Sequence, residues 1–176
     1  MKNLARAFAV ACASLLLAGP AAFAQALDDA QIAAIVVTAN QVDIDAGKLA
    51  AATSTTPAVK KFAELMVTDH TGVNQAATEL VTRLGVTPKE NDTSRSLAEG
   101  GAANLASLRR LTGAAFDAAY VAHEVAYHQQ VIEAIDGALI PGAANAELKA
   151  LLVKVRPAFD AHLEHAQQLQ RSLGSR

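Results

Sequence analysis

The amino-acid sequence predicts an all-α protein, one antiparallel bundle of four long helices with an extra short helix in its long middle connection. Three observations carry this. Apolar residues recur every three or four positions in each long segment, and no stretch alternates apolar with polar as a half-buried strand would. Alanine is abundant, while aromatic residues make up only 4% of the chain and tryptophan is absent, a balance that suits close-packed helices better than sheet.

The chain opens with a different kind of segment. Lys2 and Arg6 precede an apolar run from Ala7 to Leu17, and Ala22-Phe23-Ala24 has the small-x-small form that signal peptidase cuts. Residues 1–24 are therefore expected to be a removable secretory signal, leaving 25–176 as a single periplasmic domain that begins at Gln25. The apolar run is well short of the roughly 20 residues a membrane-spanning helix needs. Cys12, the one cysteine, lies inside this signal, so the mature chain has no thiol for disulfide, redox or cysteine–metal chemistry. Loss of Lys2 and Arg6 takes the formal charge from -2 to -4. Mild acidity without a basic run argues against nucleic acid as a partner, and no later segment is apolar and long enough to span a membrane.

Helix signals follow in order. Asp28, with Gln31 three residues on, forms a capping box for a first helix whose inward stripe is Ile32, Val36, Ala39, Asp43, Ala46 and Ala50. The run Thr53-Ser54-Thr55-Thr56-Pro57 ends it, with Thr56 as the next N-cap and Pro57 in the first turn. A second helix carries Phe62, Met66, Val73, Ala77, Leu80 and Leu84, and Gly85 stops it. Pro88, Asn91 and Asp92 make a loose connection, followed by a shorter helix within Thr93 to Leu111 built on Leu97, Leu105 and Leu108. The next long helix begins near Gly113 with Phe116, Tyr120, Tyr127, Val131 and Ala134 inward, and Ile140-Pro141-Gly142 breaks it. A last helix runs from Asn145 to about Leu173 over Leu148, Leu152, Val155, Phe159, Ala166 and Leu169, and Pro157 is expected to kink it near Leu152 to Val155 or to restart it.

A few polar residues fall inside these apolar stripes. Asp43 is central in its stripe, Asp69 and His70 straddle theirs, Glu124 and His128 share a face one turn apart, and His162 is central in the last helix. His123 and His165 fall at stripe edges. Depth matters as much as face. Asp43 and Asp69-His70 lie about equally far from the first turn at ~1.5 Å per residue, and Glu124 and His162 are nearly equidistant from Pro141-Gly142. A connection that crosses the bundle brings all four helices' polar residues to one level. Buried carboxylates and imidazoles are costly unless paired or metal-bound, and one interior layer of them is how bundles build carboxylate-bridged metal sites. The competing reading is a core hydrogen-bond network that fixes helix register without metal. The aromatics are most simply core, with either tyrosine available as a donor to the layer.

The chain also resembles domain-of-unknown-function family 4142, exported bacterial proteins placed among the ferritin-like folds. The resemblance covers nearly all of the mature chain. It rests on Gly47-Lys48-Leu49-Ala50, on Val59-Lys60-Lys61-Phe62-Ala63 leading to Met66-Val67-Thr68-Asp69-His70-Thr71, on Gly113-Ala114-Ala115-Phe116-Asp117-Ala118-Ala119-Tyr120, on His128 eight residues later, and on His162-Leu163. It implies a ferritin-like bundle and marks Asp69, His70, His128 and His162; Asp43 stands where the family usually has glutamate. No activity comes with it.

Together these readings predict an exported ferritin-like bundle that binds one or two transition-metal ions through Asp43, Asp69, His70, Glu124, His128 and His162. Oxygen and nitrogen donors without sulfur suit iron, manganese or zinc, and imidazole admits copper. Metal storage or buffering, or oxidant-related chemistry at the metal, are the roles such a site serves. The alternative is a non-catalytic envelope-stress or interaction bundle with a structural polar core. Assembly into a homo-oligomer is left open.

Overall fold

A computed structural model describes residues 27–174. The expected signal segment, its cleavage site and Cys12 lie outside the described residues. Within them the chain is all helix and turn, with five long helices and no strand. No helix among the described residues is long and apolar enough to cross a membrane.

Helix α1 (Asp29–Thr53) starts as its sequence demands: the Asp28 carboxylate accepts the Gln31 N–H at 2.7 Å, and the Gln31 side chain accepts the Asp28 N–H at 3.1 Å. Helix α2 (Pro57–Arg83) follows a three-residue turn, so it must run back along α1. The two axes come close at Gly47, where a Cβ would meet a Val67 methyl at 2.9 Å and the Ala63 carbonyl at 3.0 Å. Thr56 holds the N-cap position but caps nothing. Its hydroxyl donates instead to Asp117 at 2.5 Å, because a buried carboxylate is the stronger acceptor. Gly85 closes α2 with a left-handed φ of 66°, which lets Val86 N–H reach the Val81 carbonyl.

Helix α3 (Asp92–Leu108) begins a residue earlier than expected because Asn91 and Ser94 form a reciprocal capping box at 3.0 and 3.1 Å, and it ends short of Leu111. The preceding connection is stitched to α1 by Lys89 N–H to the Ala30 carbonyl and by the Asn91 amide to the Gln31 carbonyl. The helical run that begins with α4 (Gly113–Ala134) ends at Ile140-Pro141-Gly142, as expected. It widens into a π-helical turn, Ile135–Leu139, and passes into the short helix α5 (Ile140–Gly142) before the chain turns at Ala143. Pro141 stands in the first turn of α5, next to the end of the helical run.

Helix α6 (Ala146–Gly174) is capped by Asn145, which accepts from Glu147 and Leu148 N–H. It continues through Pro157 without the restart that proline allowed. Pro157 is exposed, and the carbonyl it deprives of a partner belongs to Val153, also exposed, so water can serve it. Arg156 steadies this stretch, donating twice to Asp136 of the π turn at 2.8 Å and pairing with Asp160.

Contacts at the two ends give the helix directions. Thr56 bonds Asp117 at one end; at the other, Asp29 accepts from Ala144 and Asn145 N–H, and Arg83 pairs with Glu147. Hence α1 and α6 run one way and α2 and α4 the other, with α3 crossing back along α1. The core is in two apolar parts. One is built on Ile32, Leu80, Val131, Leu148 and Leu152, the other on Ala50, Phe62, Met66, Phe116 and Leu169. Each large side chain fully buried there contributes about 1.5–3 kcal/mol. In each of α1, α2, α4 and α6 buried polar residues lie between the two parts.

Candidate metal centre

Four helices supply that polar layer. Helix α1 brings Asn40 and Asp43, α2 brings His70, α4 brings Glu124 and His128 one turn apart, and α6 brings His162. All are buried, with Glu124 and His128 at 0% exposure and His162 the most open at 5%. The sequence placed all of these except Asn40 on inward faces at one depth, and the crossover of α3 brings them together.

The three imidazoles form a nearly equilateral triangle, with ring centres 5.6, 5.5 and 5.2 Å apart. Each has one nitrogen engaged outward. His70 Nδ1 donates to the Asn40 side-chain oxygen at 2.7 Å, and that amide is oriented by its own N–H bond to the Val36 carbonyl. His128 Nδ1 donates to the Glu124 carbonyl at 2.9 Å, and His162 Nε2 donates to the Asp69 carboxylate at 2.9 Å. The remaining nitrogens, Nε2 of His70 and His128 and Nδ1 of His162, are buried and without a hydrogen-bond partner. One ligand atom from each of these histidines lies within 4.8 Å of the others.

A carboxylate half adjoins this triangle. Ligand atoms of Asp43, Glu124 and His128 also lie within 4.8 Å of one another, and an Asp43 oxygen is 3.4 Å from His70 Nε2. Both Glu124 oxygens and one Asp43 oxygen lack a hydrogen-bond partner. Burial raises the pKa of both acids above the carboxylate range, and for Glu124 the adjoining Asp43 charge raises it further. Burial has the opposite effect on the bases, taking His128 down to about 4 and His70 lower still, with neighbouring imidazoles adding to it. The layer is thus set up as neutral bases beside acids that resist ionising.

Asp69 stands apart from the other sequence candidates. Its side chain is 39% exposed, it belongs to neither cluster, and its contact is the outer nitrogen of His162. His123 is half-buried at the layer's edge, stacked on Tyr127, and His165 packs against Phe62 beyond it. The two tyrosines differ: Tyr127 donates to the Ala39 carbonyl at 3.0 Å, whereas the buried Tyr120 hydroxyl has no partner. Sequence reasoning missed Asn40 and Asp117. Both were visible on the wheel, since Asn40 is three residues before Asp43 and Asp117 seven before Glu124, each on the same face.

An all-α bundle with a buried layer of histidines and carboxylates able to hold a metal ion is the class that this fold and site define. The chain belongs to the family described as Domain of unknown function (DUF4142), whose profile matches residues 16–169. No curated protein and no solved structure matches it.

Proposed function

We propose that this chain is an exported, periplasmic protein that binds a transition-metal ion in its buried layer, serving metal storage or buffering or oxidant-related chemistry. The observation that carries the reading is the state of the imidazoles. Metal-ligating histidines give one nitrogen to the ion and hold the other against a carboxylate, carbonyl or water. Here all three have the outer nitrogen held and the inner one unpartnered. A structural hydrogen-bond network would use its lone pairs internally, and buried unpartnered groups cost about 1–3 kcal/mol each. His70, His128 and His162 would hold the ion with Asp43 and Glu124, and Asp69 would orient His162. Iron, manganese, zinc and copper are all compatible with this donor set. The opposed helix directions and the crossover of α3 support a ferritin-like arrangement.

The test is thermal unfolding of the mature chain, purified without a histidine tag, in chelator and with each of these metals. An ion that binds only the folded state at 100 times its Kd adds about 2.7 kcal/mol, and His128→Ala should abolish that gain. A melting temperature indifferent to every metal would reject the proposal.

A further inference from the structure

We infer that the layer is built for a single divalent ion shared by its histidine and carboxylate halves, not for a pair of ions; this rests on the metal-binding reading above. The first argument is a count of lone pairs. His128 appears in both clusters, but its Nδ1 is committed to the Glu124 carbonyl, so it can ligate one ion only. His70 and His162 are likewise left with one free nitrogen each. Once an ion sits on the three imidazoles, a second would find Asp43 and Glu124 alone. Two-ion sites in helical bundles draw on four carboxylates and two histidines, with glutamate and histidine spaced three apart. This layer has two carboxylates, three histidines and a spacing of four between Glu124 and His128.

The second argument is charge. No lysine or arginine is among the buried residues described. Ionised Asp43 and Glu124 are therefore the buried charges an ion would meet in the layer, and one divalent cation cancels both. A second would leave a net double positive charge at a level shielded from water on both sides by apolar core, which burial penalises heavily. Asp69, partly exposed, offsets little of it. The 3.4 Å approach of Asp43 to His70 Nε2 makes the halves one compartment.

The experiment is a titration of chelator-stripped mature chain with Co(II), repeated with Zn(II) and Mn(II), followed by elemental analysis after desalting. One ion per chain is expected. Because the ion needs both halves, His70→Ala and Glu124→Gln should each weaken that single equivalent by at least the roughly 10–100-fold that loss of an outer partner costs. Circular dichroism checks folding, and Asp43→Asn repeats the carboxylate arm should Glu124→Gln fold poorly. Two ions per chain would overturn the inference and leave the metal reading standing. Wild-type affinity in both carboxylate variants would place the ion on the histidines alone and overturn it too. A wild-type chain that retains no ion would overturn the metal reading and this inference together.

Discussion

The two halves of the buried layer meet the same problem, polar groups in an apolar interior, in opposite ways. Burial keeps His70 and His128 neutral, and all three histidines are tied outward through one nitrogen to a group outside the triangle. Those bonds orient the rings without an ion. The carboxylates have no such outward ties: both Glu124 oxygens are unpartnered, and the adjoining Asp43 charge opposes the ionisation of Glu124. The histidine half is therefore preorganised, while the carboxylate half is under electrostatic tension that a proton or a cation relieves. Removing the first should cost stability, and removing the second should release it, as long as no metal is bound.

The largest effect is expected for His70→Ala in chelator. It leaves a cavity beside Phe159, whose ring centre is 5.2 Å away, and strips the Asn40 oxygen of its donor. A loss of about 2–5 kcal/mol follows, measurable by urea unfolding. A loss under about 1 kcal/mol would mean that the histidine half is not the preorganised one.

Glu124→Gln should act in the other direction and depend on pH. Unfolded, Glu124 titrates near 4.5; folded, its pKa is higher. The metal-free native state thus keeps a proton that the unfolded chain has released, and this group's contribution to stability falls as pH rises from about 4.5 towards the folded value. The imidazoles work oppositely, since His128 is lowered from 6.5 to about 4 and costs stability as pH falls through that window. In chelator, the amide variant should gain on wild type as pH rises above 4.5, and the gain should shrink towards pH 4.5. Metal should reverse the order, since the ion needs the ionised carboxylate. A variant less stable than wild type at every pH would break the comparison.

Asp69→Asn gives the smallest change in stability. Its exposed bond to His162 should contribute no more than about 1 kcal/mol. Metal affinity should still fall roughly 10–100-fold, because the carboxylate sets the tautomer and orientation of that ring. Equal affinity in the variant and wild type, by competition with a metal indicator, would show that His162 is oriented by packing alone.

Much of this was legible in the sequence because it is local. The Asp28–Gln31 capping box, the turn before Pro57 and the left-handed stop at Gly85 need only neighbours along the chain, and each is where the residues require it. Helical period likewise put Asp43, His70, Glu124, His128 and His162 on inward faces. Asn40 and Asp117 share those faces, but their roles follow from partners distant in the chain, His70 for Asn40 and Thr56 for Asp117. The π turn after α4 and the uninterrupted passage of α6 through Pro157 were not readable, since both depend on what lies beside the helix: Arg156 bridging to Asp136, and solvent against Val153. Asp69 shows the same limit most clearly. Beside His70 in sequence, the two are about 100° apart around the helix, so only the packing of α6 could decide which faced the layer. That packing buried His70 at 1% exposure and left Asp69 outside, holding His162.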